Sequence, residues 1–159
     1  MYFSEHGVGG TLVTDDGCVF CSIVRGRTDA SVVHEDESVL AFMDLRPVNP
    51  GHLLVVPKVH ASGLEDLQPD VGVQVWKVAH RLGRAMRRSG LRCEGVNLLL
   101  ADGEAAFQEV FHVHLHVIPR FAGDPFRIHS DWRVHEREQL DVSAAAVRSG
   151  LAALGDPQA

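Results

Sequence analysis

The order of apolar and polar residues divides the chain into short strands, one long helix and a C-terminal helix. Apolar runs bounded by turn residues predict β-strands, and these cover residues 31–34, 38–42, 52–57, 96–101 and 110–118. Apolar residues recur at three- and four-residue spacing over residues 69–89, which predicts the long helix. Residues 137–154 predict the second helix, and residues 18–24 predict a turn that leads into a short helix. We therefore expect an α+β domain with an antiparallel sheet.

The strand predicted over residues 110–118 carries three histidines in strict alternation with apolar residues. Side chains of a strand alternate between its two faces, so we expect His112, His114 and His116 to share one face. The other face, expected in the core, carries Phe111, Val113, Leu115 and Val117. Pro119 is predicted to end the strand. Neighbouring histidines on such a face lie about 6–7 Å apart, a spacing that places three imidazoles around one small group such as a phosphate.

Composition and charge narrow the class of protein. The chain has 159 residues, of which 45% are hydrophobic and 23% charged, as expected of one globular domain. Its formal net charge of −6 argues against a nucleic-acid-binding surface. No apolar run approaches the roughly 18 residues of a membrane helix, and no basic-then-apolar signal opens the chain. We therefore predict a cytoplasmic protein without membrane partners, with residues 1–16 as an N-terminal extension.

The histidines and a pair of cysteines leave several kinds of chemistry open. Three alternating histidines can form a solvated or pH-sensitive face, an all-histidine zinc centre, or a site for phosphoryl chemistry with a histidine nucleophile. Cys18 and Cys21 have the spacing of metal ligands, the alternative being buried thiols. Three cysteines without an export signal favour metal binding or free thiols over a disulfide framework.

The sequence around the three histidines resembles the signature of the histidine triad (HIT) superfamily of nucleotide hydrolases and transferases. Gln108 precedes the run His-Val-His-Leu-His-Val-Ile at residues 112–118, and Pro-Arg follows it. Further segments resemble the same family in the same order, namely residues 18–23, 41–44, 50–52, 56–60, 95–97 and 102–106. The match covers residues 17–121, which we expect to be the HIT domain. Residues 122–159 would then be a C-terminal extension with a helix.

The resemblance implies a HIT-like fold and a covalent nucleotidyl-histidine mechanism. At the matching positions, His114 would be the nucleophile that attacks the α-phosphate of a nucleotide conjugate, and His116 would donate to the phosphate oxygens. His112 completes the triad, Gln108 is expected near the leaving group, and His52 is expected either to support the triad or to be a core histidine. The implied substrate is a purine ribonucleotide conjugate: a dinucleoside polyphosphate, a nucleoside phosphoramidate or an adenylated small molecule.

The same resemblance implies a nucleotide pocket and a structural zinc site. Asp44 matches the acid that binds the ribose hydroxyls, the alternative being a turn residue, and Asn97 lies in the segment that resembles the phosphate loop. The apolar walls of the base pocket, unless they are ordinary core, would include Phe20, Ile23, Phe42 and Leu54. Branches of the superfamily that keep the paired cysteines suggest a closed zinc site made of Cys18, Cys21, His60 and His112. Homodimers are common in this superfamily, so we expect one here.

Three positions depart from residues common in the family. Ala101 stands where many relatives have asparagine, Phe107 where glycine is common, and Glu109 where serine or threonine is common. A carboxylate at Glu109 would repel a polyphosphate, bind a basic leaving group or point to solvent. Two other functions stay open: a nucleotide-binding module with little turnover, and a zinc-dependent enzyme with the triad as its metal centre.

Overall fold

The computed structural model describes residues 17–155. These residues form three α-helices and five β-strands. The helices are α1 (Val19–Val24), α2 (Pro69–Met86) and α3 (Arg137–Ala153). The strands are β1 (Val32–Glu35), β2 (Val39–Met43), β3 (Leu53–Pro57), β4 (Gly95–Leu100) and β5 (Leu115–Arg120). The α+β class, the antiparallel sheet, the long helix and the C-terminal helix are all confirmed.

The sheet places β3 and β5 at its centre. All neighbouring strands pair antiparallel, in the order β1-β2-β3-β5-β4. The register sets His116 of β5 opposite Leu54 of β3 on one side and opposite Leu99 of β4 on the other. A histidine in the middle strand is therefore held by two neighbouring ladders, so its backbone has little freedom.

Both faces of the central strands are buried, which explains why β2 and β3 are almost continuously apolar. One face packs against α2, whose buried residues are Val75, Val78, Ala79, Gly83 and Met86. The strand residues in that layer are Val39, Ala41, Leu53, Val55, Leu115 and Val117. The alternate residues pack with α1, in a second layer formed by Cys18, Phe20, Cys21, Leu40, Phe42, Leu54 and Val56. Since Leu115 and Val117 face α2, strand alternation turns His116 toward α1.

The prediction of a strand over residues 110–118 is wrong in its bounds. The strand starts only at Leu115 and continues through Pro119 to Arg120. Before it, the backbone N–H of Val113 donates to the carbonyl of Ala61 across the molecule at 2.7 Å, which diverts the chain from the sheet. Pro119 is tolerated because β3 pairs with β5 only as far as Val117, so the missing N–H of Pro119 faces no strand there.

The described residues divide into two units, one that ends at Phe126 and one that begins at Arg127. The second unit contains α3, which has no buried residue. The predicted boundaries of the HIT domain stay predictions, and the N-terminal extension predicted over residues 1–16 lies outside the described residues. Within residues 17–155, no helix is both long and apolar enough to cross a membrane. The homodimer and the cytoplasmic location stay predictions.

Candidate active site

A cavity of about 1040 Å³ opens beside α1 and the ends of β2 and β3. Two of the three signature histidines, His114 and His116, line it together with His52. Of the residues predicted to bind the nucleotide, the cavity is lined by Phe20, Ile23, Phe42, Asp44 and Leu54. One wall is thus apolar and the opposite part carries imidazoles and a carboxylate, an arrangement suited to a ligand with one apolar and one polar end.

His114 is a buried residue whose tautomer is set by the backbone of His112. Its Nδ1 lies 2.7 Å from the carbonyl oxygen of His112, so Nδ1 carries the proton and donates it. A neutral imidazole has one protonated and one unprotonated nitrogen, so Nε2 holds the free lone pair. The ring also makes an edge contact with Phe20 at 5.2 Å between centroids, which limits its rotation. The site therefore presents an oriented imidazole whose Nε2 carries a free lone pair.

His116 is oriented by a relay of two hydrogen bonds. The backbone N–H of Val48 donates to Nδ1 of His52 at 3.1 Å, so the proton of His52 is on Nε2. That nitrogen lies 2.9 Å from Nδ1 of His116 and donates to it. Nε2 of His116 must then carry its proton. Burial, the largest cause, lowers the pKa of His116 to about 4, so the ring is a neutral donor at pH 7.

The Asp44 carboxylate both stabilises a turn and lines the cavity. Its Oδ1 accepts the backbone N–H of Arg46 at 2.8 Å, which is the turn role weighed from the sequence. Its Oδ2 lies 3.6 Å from Nε2 of His52, and the side chain lines the cavity. One oxygen is thus used to hold the loop, while the other faces the site.

Four possible metal ligands form a cluster that is distinct from the cavity lining: Cys18, Cys21, His60 and His112. The sulfur atoms of both cysteines lie 3.4 Å from Nδ1 of His112, and the sulfur of Cys21 lies 3.3 Å from Nδ1 of His60. Nε2 of His112 donates to the carbonyl oxygen of Pro57 at 2.8 Å, which leaves Nδ1 as the unprotonated nitrogen. The predicted set of four ligands is therefore brought together, and it could hold a metal ion.

The pKa shifts in this cluster favour His112 as a neutral ligand and keep the Cys21 thiol protonated. Burial, the largest cause, lowers the pKa of His112 to about 4, so its ring is neutral and its lone pair is available. Burial, with a smaller effect of Cys18, raises the pKa of the Cys21 thiol to about 11. Such a thiol stays protonated unless a cation displaces its proton.

His112 does not line the cavity with the other two signature histidines. Its predicted catalytic role would require it to do so. It is fully buried and its ring is 5.0 Å from that of His60. The cause is the break in strand geometry before Leu115, which turns His112 toward the cysteines. It still acts on the site indirectly, because its carbonyl oxygen fixes the proton of His114.

Two other predicted residues are placed outside the cavity lining. Gln108 uses its side-chain amide on the backbone: it accepts from Gly103 at 2.7 Å and donates to Ser62 at 2.7 Å and Val110 at 3.2 Å. The side-chain oxygen of Asn97 accepts from Arg120. Gln108 thus holds the loop that precedes the histidines, and Asn97 belongs to a network at the far end of β5.

Sequence reasoning gave Arg46 no role in the site. Arg46 lines the cavity and its Nη2 donates to Oε2 of Glu109 at 2.8 Å. The sequence contained only a weak signal for this pair, namely an unusual carboxylate next to Gln108. A partner 63 residues away in the chain cannot be found from local spacing.

A second possible metal cluster consists of Asp44, His52 and His116. The short distance between the ring nitrogens of His52 and His116 is explained by a hydrogen bond, because His52 donates to His116. His114 belongs to neither of the two clusters in the described part of the chain. The arrangement thus gives no support to the triad as a metal centre.

The fold and the signature histidines, two of which line the cavity, define a histidine-triad protein. The sequence pattern of the HIT domain matches residues 25–123. The chain belongs to the HIT family.

Named relatives and solved structures agree with this assignment. An uncharacterized HIT-like protein of Mycobacterium tuberculosis is 36% identical over 135 residues, which is 85% of this chain and 93% of that protein. A HIT family protein from Bacillus anthracis is 38% identical with a TM-score of 0.76, over 85% of this chain and 97% of that one. A Zn-bound histidine triad family protein from Mycobacterium smegmatis is 42% identical with a TM-score of 0.68, over 86% and 99%.

Two more distant relatives carry names that state an activity. The adenylylsulfatase HINT3 of Arabidopsis thaliana is 34% identical over 154 residues, covering 93% of this chain and 75% of that protein. The adenosine 5′-monophosphoramidase HNT1 of Saccharomyces cerevisiae is 31% identical over 119 residues, covering 75% and 72%.

Proposed function

We propose that this protein cleaves the α-phosphate bond of a purine ribonucleotide conjugate through a covalent nucleotidyl-histidine on His114. The observation that carries the proposal is the hydrogen bond from Nδ1 of His114 to the carbonyl of His112, which leaves Nε2 unprotonated in a cavity. A positioned neutral imidazole is an effective nucleophile near pH 7.

The first step exchanges one bond to phosphorus for another. The lone pair of His114 Nε2 forms a bond to the α-phosphorus. The bond from phosphorus to the leaving group breaks, and its electron pair goes to the leaving group, which takes up a proton from solvent. The Nε2–H of His116 is the neutral donor available to the phosphoryl oxygens, whose negative charge increases in the transition state.

The second step releases the nucleotide. Water attacks phosphorus, the N–P bond breaks, and its electron pair returns to Nε2 of His114 while the water loses a proton. The net reaction is hydrolysis to a nucleoside monophosphate and a protonated leaving group, or transfer when another acceptor replaces water. Fixed N–H donors supply the electrostatic stabilisation in this scheme, and none of its steps uses a metal ion.

The remainder of the cavity suits the nucleoside. The aromatic and aliphatic wall formed by Phe20, Ile23, Phe42 and Leu54 offers a surface on which a purine base can pack. The free Oδ2 of Asp44 is an acceptor for ribose hydroxyls, because Oδ1 is already used by the turn. The names of the HINT3 and HNT1 relatives, which denote adenylyl and adenosine monophosphate conjugates, support this choice of substrate class.

We propose that the Cys18, Cys21, His60 and His112 cluster binds structural zinc. Zinc with Zn–S near 2.3 Å and Zn–N near 2.0 Å places sulfur and nitrogen about 3.5 Å apart in a tetrahedron. The sulfur–nitrogen distances of 3.3–3.4 Å are close to that value. All four positions are protein ligands, so the ion would join α1 to the segment before β5 and hold the carbonyl of His112 in place. The Zn-bound relative from Mycobacterium smegmatis supports this choice of metal.

Brief mixing with an adenosine phosphoramidate and with a diadenosine polyphosphate, followed by mass spectrometry of the intact protein, tests the proposal. We expect an adduct of adenosine monophosphate on the wild type and none on His114→Ala, with release of the monophosphate abolished in that variant. His80→Ala is the matched control, since His80 is an exposed histidine on α2. Undiminished product release by His114→Ala would contradict the proposal, and binding without any product would favour a nucleotide-binding module.

A further inference from the structure

Arg46 and Glu109 connect two loops at the open end of the cavity. Both residues line the cavity, and their ion pair has an Nη2–Oε2 distance of 2.8 Å. Arg46 follows the turn made by Asp44, whereas Glu109 follows Gln108 and precedes the histidine segment. The pair therefore bridges two loops that line the cavity together with His114.

Hydrogen bonds hold the backbone around Arg46 and Glu109, whereas the guanidinium and the carboxylate are exposed and can exchange partners. Asp44 holds the backbone N–H of Arg46, and Gln108 anchors the neighbouring loop through three hydrogen bonds to backbone groups. The side chains of Arg46 and Glu109 are 83% and 74% exposed. Ion pairs this exposed contribute at most about 1 kcal/mol, so a charged ligand can replace either partner.

The charge of the cavity favours a cationic leaving group. Among the described residues that line it, the side chains charged at neutral pH are three carboxylates, Asp29, Asp44 and Glu109, and one guanidinium, Arg46. The carboxylates of Asp44 and Glu109 also act on His116, because both oppose the lowering of its pKa by burial. Glu109 lines the same cavity as His114 and His116, so a cation held by Glu109 would lie in the cavity that contains the imidazoles.

An aromatic ring stands at the same opening. Phe107 lines the cavity, is 90% exposed and has a left-handed backbone with φ of 66°. A bulky residue rarely adopts this conformation, which costs it about 1–2 kcal/mol. An exposed aromatic face near a carboxylate is a combination that attracts alkylammonium and guanidinium groups.

We propose that Glu109 selects the leaving group by charge, favouring conjugates whose leaving group carries an ammonium or guanidinium over those with a polyphosphate or carboxylate. Arg46 is the internal cation that such a leaving group replaces, and Phe107 forms the apolar side of the same subsite. This inference rests on the proposed function and specifies its substrate class.

Three adenosine phosphoramidates of equal length test the inference. Their linear amine leaving groups end in an ammonium, a methyl group or a carboxylate, and the measurement is kcat/KM for release of adenosine monophosphate. Since each exposed charge contributes up to about fivefold, we expect the wild type to favour the ammonium over the carboxylate substrate by about tenfold.

Three variants separate the charge at residue 109 from other effects. Glu109→Gln should reduce the tenfold preference to about threefold or less. The double variant R46E/E109R keeps an ion pair but places the cation next to the histidines, so it should reverse the preference. Glu104→Gln, an exposed glutamate on the same loop that does not line the cavity, should keep the wild-type ratio.

The outcomes distinguish the two proposals. If the wild type releases the monophosphate from all three substrates at equal rates, or if Glu109→Gln keeps the wild-type ratio, the selection by Glu109 is overturned and the proposed function stands. If the wild type releases the monophosphate from none of the three and not from a diadenosine polyphosphate either, the proposed function itself falls, and the inference with it. If it releases the monophosphate from the polyphosphate alone, the selection by Glu109 is overturned and the proposed function stands.

Discussion

At the scale of single residues, three backbone groups decide what the histidines can do. The carbonyl of Pro57 accepts a hydrogen bond from Nε2 of His112, and the carbonyl of His112 accepts one from Nδ1 of His114. The backbone N–H of Val48 donates to Nδ1 of His52. A neutral imidazole has one donor and one acceptor, so each bond fixes the opposite nitrogen. The same residue type is thereby prepared for the three roles proposed above: a metal ligand, a nucleophile and a relay.

The relay through His52 leads to the first prediction. His52→Ala removes the donor that holds the proton of His116 on Nε2, so kcat should fall by about tenfold to a hundredfold, with little change in KM. His52→Gln should recover part of the loss, since its amide N–H can donate to His116. A loss expressed only in KM, or no rescue by glutamine, would exclude the positioning role of His52.

Phe107 leads to a prediction about stability. Phe107→Gly and Phe107→Ala both remove the exposed ring, but only glycine is unstrained at φ of 66°. We expect the glycine variant to be about 1 kcal/mol more stable than the alanine variant, as measured by urea unfolding. Equal stabilities of the two variants would show that the backbone is not strained there.

At the scale of elements, α1 and the segment before β5 form one unit although they are far apart in sequence. Cys18 and Cys21, at the start of α1, meet His112 from that segment and His60 from the loop after β3. Phe20 lies between the same groups and contacts both His112 and His114. A metal at this cluster would therefore stabilise the hydrogen bond that orients the nucleophile.

The third prediction concerns the metal. Cys18→Ser and Cys21→Ser should lose zinc, which we expect at about one ion per wild-type chain, and should unfold at lower temperature with reduced activity. The measurements are elemental analysis of the purified protein and a thermal melt. Cys93→Ser is the matched control, because the Cys93 thiol donates to the carbonyl of Gly95 and, among the described residues, belongs to neither cluster.

Replacement of His114 separates the structural site from a catalytic one. His114→Ala should keep its zinc, since His114 belongs to neither cluster. If zinc is instead lost with His114 and retained without Cys18 and Cys21, the triad itself is the metal centre.

At the scale of the whole molecule, a polar network holds the end of β5 to the loop that carries His52. Arg120 donates to the Asp124 carboxylate at 2.6 and 2.8 Å, and Asn49 donates to the same carboxylate at 3.0 Å. Asn49 also accepts the backbone N–H of His52 at 3.0 Å. Distant parts of the chain thus fix the relay to His116.

The fourth prediction is a pH dependence of stability. The Arg120 guanidinium holds the pKa of Asp124 well below its usual value of 3.8. A carboxyl with a lowered pKa in the folded state stabilises the protein fully above its unfolded pKa, and this stabilisation decreases as pH falls below that value. Asp124→Asn should therefore lower the midpoint of urea unfolding at pH 7, and its difference from wild type should shrink progressively below pH 4.

An exposed aspartate provides the control for this comparison. Asp131→Asn removes an 88% exposed carboxyl and should change the unfolding midpoint little at any pH. If the difference between Asp124→Asn and the wild type is the same at pH 7 and well below pH 4, the ion pair is not its cause.

Local sequence was sufficient for most elements. The hairpin around Glu35–Glu37, the long helix after Gln68 and the helix after Glu136 follow from periodicity and turn residues, and all occur in the structure. The residues predicted for the apolar wall and the acid line one cavity, and their roles toward a nucleotide stay predictions. The four possible metal ligands meet as expected.

Strict alternation misled the prediction only near the histidines. Residues 110–114 alternate like a strand, yet the carbonyls of Ala61 and Pro57 draw Val113 and His112 out of the sheet. These contacts join residues more than 50 positions apart, so local periodicity could not reveal them.

The sequence by itself determined the order of the elements, the burial of the central strands and the positions of the histidines and cysteines, because these depend on periodicity and residue type. The tertiary structure alone decided that His112 turns to the cysteines while His114 and His116 face the cavity. It also decided which nitrogen of each ring is protonated and that Arg46 meets Glu109. Those outcomes depend on hydrogen bonds between distant segments, whose geometry exists only after the chain has folded.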